Sequence, residues 1–205
     1  MNLQQRKTQQ ETYKSFMIYK VIHEMLFDRE YSIPNNLTFS AFQDTFCSDY
    51  VKVPQKSELT FISYKNKKPT LIYFIEDSSV GIKHMMKIYD IMCDNNISHC
   101  IVVYPISITF SVKRYIQTKI KEIQVEFFSE DELIINKTKH ILSPKYNLAT
   151  DTDLKVYKIE DTSKLPKILY NDHISKYFGL KRGDILKINR KSETMGEYIT
   201  FRICT

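Results

Sequence analysis

LPKILYNDHISKYFGLKRGDILKINRKSETMGEYITFRIC, residues Leu165 to Cys204, holds three of the chain's four glycines, Gly179, Gly183 and Gly196. Each falls where a turn is needed. Asp172 is placed to cap a short helix over His173 to Phe178, its carboxylate accepting from free backbone N–H groups. Gly179 follows as the left-handed stop, a conformation that is open to a residue without Cβ. Lys181-Arg182-Gly183-Asp184 reads as a turn. Ile185 to Asn189 and Glu197 to Cys204 read as strands, the second alternating Tyr198, Thr200 and Arg202 against Ile199, Phe201 and Ile203. The block predicts a compact α+β unit closed by a β-hairpin.

The same residues resemble the C-terminal assembly domain of the fifth subunit of eukaryotic nuclear RNA polymerases, a family whose archaeal form resembles this block alone. The shared pattern is Leu165-Pro166, Asp172, Tyr177-Phe178-Gly179, Lys181-Arg182-Gly183, Ser192-Glu193-Thr194, Gly196, Tyr198, Thr200 and Arg202. His173 and Lys191 stand where the family has proline. Met195 and Glu197 replace alanine and arginine, the latter reversing a charge. No turn glycine is lost. The resemblance implies docking on the largest polymerase subunit through Tyr177, Phe178, Gly179, Lys181, Arg182, Gly183, Ser192, Glu193, Thr194, Gly196, Tyr198 and Arg202.

At 205 residues the chain can hold two small domains, each burying a core. Its 42% hydrophobic and 26% charged content is that of a globular protein. No apolar run approaches the ~18–20 residues of a membrane span. The N-terminal stretch MNLQQRKTQQETYK lacks the apolar region of a secretory signal, so a reducing compartment is expected. Cys47, Cys93, Cys100 and Cys204 are scattered, and Cys93, His99 and Cys100 lack a second pair at zinc spacing, so thiols without a metal are expected. The net charge of +6 is uneven. Residues 138–205 carry thirteen Lys and Arg against eight Asp and Glu, whereas residues 1–137 carry seventeen against sixteen. A nucleic acid, an acidic protein surface and a solvated basic face all fit that bias.

Toward the N-terminus, Phe16, Tyr19, Ile22, His23 and Leu26 fall on one face of a helix over residues 12–28. Phe39, Phe42 and Phe46 suggest a second, short helix. Leu59 to Tyr64 and Leu71 to Ile75 form a plausible hairpin around Lys65 to Pro69. Alternation follows: a helix over Val80 to Cys93, a strand over His99 to Tyr104, a helix over Thr109 to Lys121, a strand over Ile123 to Phe128, and a short helix over Glu130 to Ile135. This predicts an α/β/α three-layer domain around a small mixed sheet, spanning 1–137, with a second domain over 138–205. Asn147 to Ser163 is the least patterned stretch.

Val80-Gly81-Ile82-Lys83, Asn96-Ile97, Phe127 with Asp131 to Asn136, and His140 to Pro144 resemble the same family's N-terminal jaw domain and junction. The resemblance runs from about residue 70 onward, and residues 1–65 match by pattern only. It implies a place beside downstream duplex DNA. The contacting loop would be Thr109-Phe110-Ser111-Val112-Lys113-Arg114, with Phe110 at a family proline. Thr109, Ser111, Lys113 and Arg114 can all bond phosphates without reading sequence. An ordinary helix start, with Thr109 capping and Lys113 solvated, is the competing reading.

Catalytic patterns are missing from the sequence. The jaw fold is similar to restriction-type nucleases, whose Mg²⁺ sites need a Glu-x-Lys or Asp-x-Lys beside a further carboxylate. Glu76-Asp77 could supply carboxylates, but the sole Asp-x-Lys, Asp153-Leu154-Lys155, lies in the expected linker. There is no phosphate-cradling glycine loop and no Gly-x-Ser-x-Gly. No cofactor or metal is expected. The resemblance thus implies a non-catalytic subunit of a multisubunit DNA-directed RNA polymerase, with a stand-alone transcription cofactor as the alternative. With two alanines against plentiful isoleucine, lysine, asparagine and tyrosine, the chain looks most like the version carried by a large cytoplasmic DNA virus of the African swine fever type. That origin implies host cytoplasm and virion, whereas a cellular copy implies the nucleus.

Overall fold

The computed structural model describes residues 3–34, 37–47, 53–119, 123–192 and 196–205. Two compact units divide the chain, Met1–Ile135 and Asn136–Thr205.

The first unit opens with α1 (Leu3–Asp28), which begins nine residues before the helix expected over 12–28, and α2 (Phe39–Phe46). Its sheet is built from β1 (Phe61–Lys65), β2 (Lys68–Phe74), β4 (His99–Tyr104) and β6 (Gln124–Ser129), in the order β1-β2-β4-β6. β1 is antiparallel to β2, and β2, β4 and β6 are parallel. The hairpin turn is only Asn66-Lys67, both at positive φ (50° and 64°), as a two-residue turn of primed type requires. Pro69 therefore lies in the strand, opposite Tyr64, and not in the turn as expected.

A second, two-residue pairing sets β3 (Ser79–Val80) parallel to β5 (Ser107–Ile108), and each strand leads into a helix. β3 leads into α3 (Ile82–Asp94) and β5 into α4 (Phe110–Lys119). Val80, expected in the first of these helices, is a fully buried strand residue, with Gly81 as the N-cap. The short α5 (Glu130–Leu133) follows β6 through a capping box between Ser129 and Glu132.

Alternation along β2 and β4 sends successive residues to opposite faces. Leu71, Cys100 and Val102 share a core with Met85, Ile88 and Met92 of α3 and Val112 of α4. On the other side, Tyr19 of α1 stacks on Phe61 and Phe74 at 5.5 and 6.2 Å, and on Phe42 and Phe46 of α2 at 5.6 and 5.3 Å. Helices thus cover both faces of a mixed sheet, the three-layer arrangement expected from the alternating elements.

The second unit holds β7 (Lys145–Leu148), α6 (Asp151–Val156), β8 (Lys167–Ile168), α7 (His173–Phe178), β9 (Ile185–Ser192) and β10 (Gly196–Cys204). The sheet order is β7-β9-β10-β8. Leu186, Ile188, Ile168, Leu180 and Cys204 form its core, with Tyr146, Ile174 and Phe178 packed against them. Asp172 caps α7 by accepting from the Ile174 N–H at 2.9 Å, and Gly179 ends the helix at φ 62°. The turn that follows is locked by Asp184, which accepts from the Lys181 N–H at 2.7 Å, with Gly183 at φ 95°. The stretch Asn147 to Ser163 is not a linker. It completes β7 and forms α6, whose Asp153 pairs with Lys187 of β9.

Candidate nucleic-acid and docking surfaces

In the first unit, the β3–β5 pairing decides where Thr109 to Arg114 sits. Ser79 lies opposite Ser107 and Val80 opposite Ile108 in parallel register. The two following helices therefore start side by side. Both N-termini expose backbone N–H groups and the positive ends of their dipoles. Ser111, Lys113 and Arg114 are exposed on α4, and Lys83 and Lys87 on α3, while Val112 between them is fully buried. Neither Lys113 nor Arg114 has a salt bridge among the described residues. Thr109 does not cap α4: its hydroxyl donates to the Val80 carbonyl at 3.0 Å, and its N–H to the same oxygen at 3.2 Å. It pins the loop to β3. Phe110 replaces a family proline and is 80% exposed.

Glu76 and Asp77, the carboxylates weighed for a metal, are otherwise engaged. Glu76 accepts from the Ser57 N–H at 3.3 Å. Asp77 meets His84 Nε2 at 2.7 Å, while His84 Nδ1 accepts from the Gly81 N–H at 3.1 Å. Asp153 belongs to the other unit. There the Lys187 ammonium, with the Thr150 N–H and hydroxyl, holds its carboxyl at about 2.

In the second unit the family-pattern residues split into two roles. Tyr177 is buried, and its hydroxyl accepts from Asn136 Nδ2 at 3.0 Å, so it offers no surface. Phe178 is half-buried beside Tyr146 at 6.1 Å. Gly179 and Gly183 serve turns. Lys181 and Arg182 are exposed, and Tyr198 and Arg202 are half-buried on β10. Gly196 opens β10 at φ 71°. Ser192 ends β9, and Glu193 and Thr194 lie outside the described residues. Two departures from the family pattern meet here: Lys191 and Glu197 are direct cross-strand partners, with Nζ and Oε1 3.9 Å apart. The charge reversal at Glu197 is thus matched within the hairpin.

Sequence reasoning missed a polar cluster in the first unit. Arg29, just past α1, donates two hydrogen bonds to Glu126 of β6 at 3.1 and 2.7 Å. His99 Nε2 lies 2.8 Å from the same carboxylate, and the Tyr31 and Thr70 hydroxyls each lie 3.2 Å from His99 Nδ1. A carboxylate only accepts, so Nε2 carries a proton. Burial alone pushes the Glu126 carboxyl up, but the Arg29 charge and the bonds from His99 and Arg29 outweigh it and hold the group at about 2. Nearby, Glu130 of α5 is buried between Lys14, at 3.1 Å, and Lys56. A glutamate inside an apolar strand was the available signal. Its partner, 97 residues away, was not legible.

Both units present exposed cationic side chains, and the described residues hold no group of three or more His, Cys, Asp or Glu that could bind a metal. Comparison with known proteins gives the family. Residues 9–92 match the N-terminal domain of RNA polymerase Rpb5 and residues 135–204 its C-terminal domain. The chain is 36% identical over 204 residues to the Caenorhabditis briggsae DNA-directed RNA polymerases I, II, and III subunit RPABC1, covering 94% of this chain and 96% of that protein. The Dictyostelium discoideum subunit rpabc1 is 35% identical over 91% of this chain and 95% of its own length. The Arabidopsis thaliana DNA-directed RNA polymerase subunit 5-like protein 1 is 34% identical over 94% and 96%. The chain belongs to the Rpb5 family, structural and non-catalytic subunits of DNA-directed RNA polymerase. The match over residues 9–92 extends the likeness through the N-terminal stretch that matched by pattern alone.

Proposed function

We propose that the chain serves as a non-catalytic subunit of a multisubunit DNA-directed RNA polymerase. Residues 138–205 form the assembly domain docked on the largest subunit, and residues 1–137 form the jaw domain beside downstream duplex DNA. The observation that carries the reading is the presence of both Rpb5 domains, in family order, in one chain. The jaw's contact is supported by the adjacent starts of α3 and α4, with Ser111, Lys113 and Arg114 exposed there. Aligned N–H groups and flexible cations hold phosphate at any sequence, as a polymerase moving over its template requires. The near-neutral balance of residues 1–137 makes the contact weak.

Docking is supported by the exposed Lys181 and Arg182 and by the half-buried Phe178, Tyr198 and Arg202, close to the Gly179, Gly183 and Gly196 turns. The alanine-poor, isoleucine- and lysine-rich composition supports a copy carried by a large cytoplasmic DNA virus, working in host cytoplasm and packaged in the virion. A cellular copy would work in the nucleus, as its matched relatives are eukaryotic polymerase subunits. The test is affinity purification of the tagged full chain from its native source. A polymerase subunit is recovered in equal amounts with the two largest polymerase chains, and recovery without them overturns the proposal.

A further inference from the structure

The sheet of the second unit has an unfinished edge. β10 runs from Gly196 to Cys204, yet β8 pairs with it only at Ile203 and Cys204. The phase of the hydrogen bonds tells which groups the rest of that edge presents. The Ile203 N–H donates to Pro166 and the Thr205 N–H to Ile168, so odd-numbered residues of β10 point toward the β8 side. The Cys204 N–H donates to Asp184, and the Gly183 N–H to Cys204, so even-numbered residues point toward β9. Glu197, Ile199 and Phe201 therefore aim their N–H and C=O groups away from β9, along an edge with no neighbouring strand among the described residues. Before Pro166 the chain comes from the short 3-10 turn Thr162–Lys164, so β8 extends no further along that edge. An open edge of this length is a template for another strand, and proteins that leave such edges idle usually shield them.

The side chains say what kind of strand fits. Tyr198, Thr200 and Arg202 share one face with Arg190, the cross-strand partner of Tyr198. Neither Arg190 nor Arg202 has an ion pair among the described residues, and Arg190 Nε is buried with no hydrogen-bond partner. On the opposite face Lys191 already balances Glu197. The edge thus offers main-chain bonds with the uncompensated Arg202 guanidinium on one face of β10 and that of Arg190 one strand inward on β9, and guanidinium groups bind carboxylates in planar, bidentate fashion.

We infer that β10 receives an extended, carboxylate-bearing segment of the largest polymerase subunit, added as a fifth strand along Glu197 to Phe201. This rests on the docking reading above and gives its mode. Main-chain bonds from the edge supply affinity, while Arg190 and Arg202 select acidic side chains on alternate positions.

Amide hydrogen exchange on the full chain, alone and in the assembled polymerase, tests it. Alone, the half-buried Ile199 amide exchanges fast while Thr200 and Arg202, bonded to β9, are slow. On assembly the Ile199 amide slows by at least roughly tenfold, the ratio that ~1.4 kcal/mol of protection gives. Unchanged exchange there in a polymerase that contains the chain overturns strand addition but leaves docking standing. Failure of the chain to assemble with the largest subunit sinks the docking reading itself. Slow exchange in the isolated chain that disappears on dilution shows a second copy on the edge and also overturns the inference. Ile199→Pro adds an independent arm, because proline is tolerated where the N–H faces away from the sheet. The folded variant is expected to bind the largest subunit roughly tenfold more weakly, the same energetic step, and undiminished binding counts against the edge.

Discussion

Replacing Glu126 by glutamine probes the polar cluster that ties α1 to β6. The carboxylate is buried and accepts from Arg29 at 3.1 and 2.7 Å and from His99 at 2.8 Å. Its pKa falls from an ordinary 4.5 to about 2 in the folded chain. At ~1.4 kcal/mol per pH unit, that difference is worth about 3 kcal/mol of stability. The sign follows from the direction. A depressed carboxyl contributes fully above pH 4.5, and the contribution drains away as pH falls toward 2.

Glutamine also removes the carboxylate that faces the buried Arg29 guanidinium, a loss of about 3–5 kcal/mol in comparable buried pairs. A chain with two units needs a probe confined to one of them. Met25, Met85 and Met92 are buried in the first unit, so peroxide oxidation of these three methionines along a urea series reads that unit alone. With a urea dependence of about 1–3 kcal/mol per molar, the midpoint at pH 7 is expected to fall by roughly 1–3 M. The gap between native chain and variant should narrow as pH drops from 5 to 2. A shift at pH 7 below about 0.3 M, or one that is as large at pH 2, would refute the reasoning.

Lys113→Ala with Arg114→Ala, measured in the assembled polymerase, is expected to lower the salt slope of downstream-duplex retention by roughly 0.9 for each phosphate no longer neutralised. Promoter choice stays the same, and an unaltered slope would mean that α4 begins there without touching DNA. Gly179→Val forces a branched side chain to φ 62°, so thermal unfolding of the second unit should show a loss of at least ~1–2 kcal/mol. Equal stability would mean the helix can end without a left-handed residue. With Mg²⁺ or Mn²⁺ the purified chain is expected neither to cut nor to extend nucleic acid. Nicking that survives purification and disappears in Asp77→Ala would overturn the non-catalytic assignment.

What the sequence carried and what it hid follow a physical division. Local signals were legible: the Asp172 cap, the left-handed Gly179 and the strand His99–Tyr104 all depend on residues a few positions apart. Turn length was less so, because Lys65 to Pro69 looks like a loop until pairing shows that Asn66 and Lys67 alone make the turn. Tyr177 shows a further limit. Two adjacent aromatics at a helix end suggest an anchor, but adjacent helical residues point about 100° apart, so the Tyr177 ring is buried while Phe178 stays half-buried against the second unit's core. Pairings across long stretches of chain were out of reach, and both surfaces depend on them. The β3–β5 register places two helix starts together, and the shortness of β8 opens the edge of β10. Gly196, Tyr198 and Arg202, which the family pattern singles out, lie on that strand for a reason the pattern does not state. Gly196 and the Lys191–Glu197 pair shape the hairpin, while Glu197, Ile199 and Phe201 turn their main-chain groups away from β9. In such a hairpin the requirement is backbone geometry, so a charge can reverse at 197 without disturbing what the edge offers.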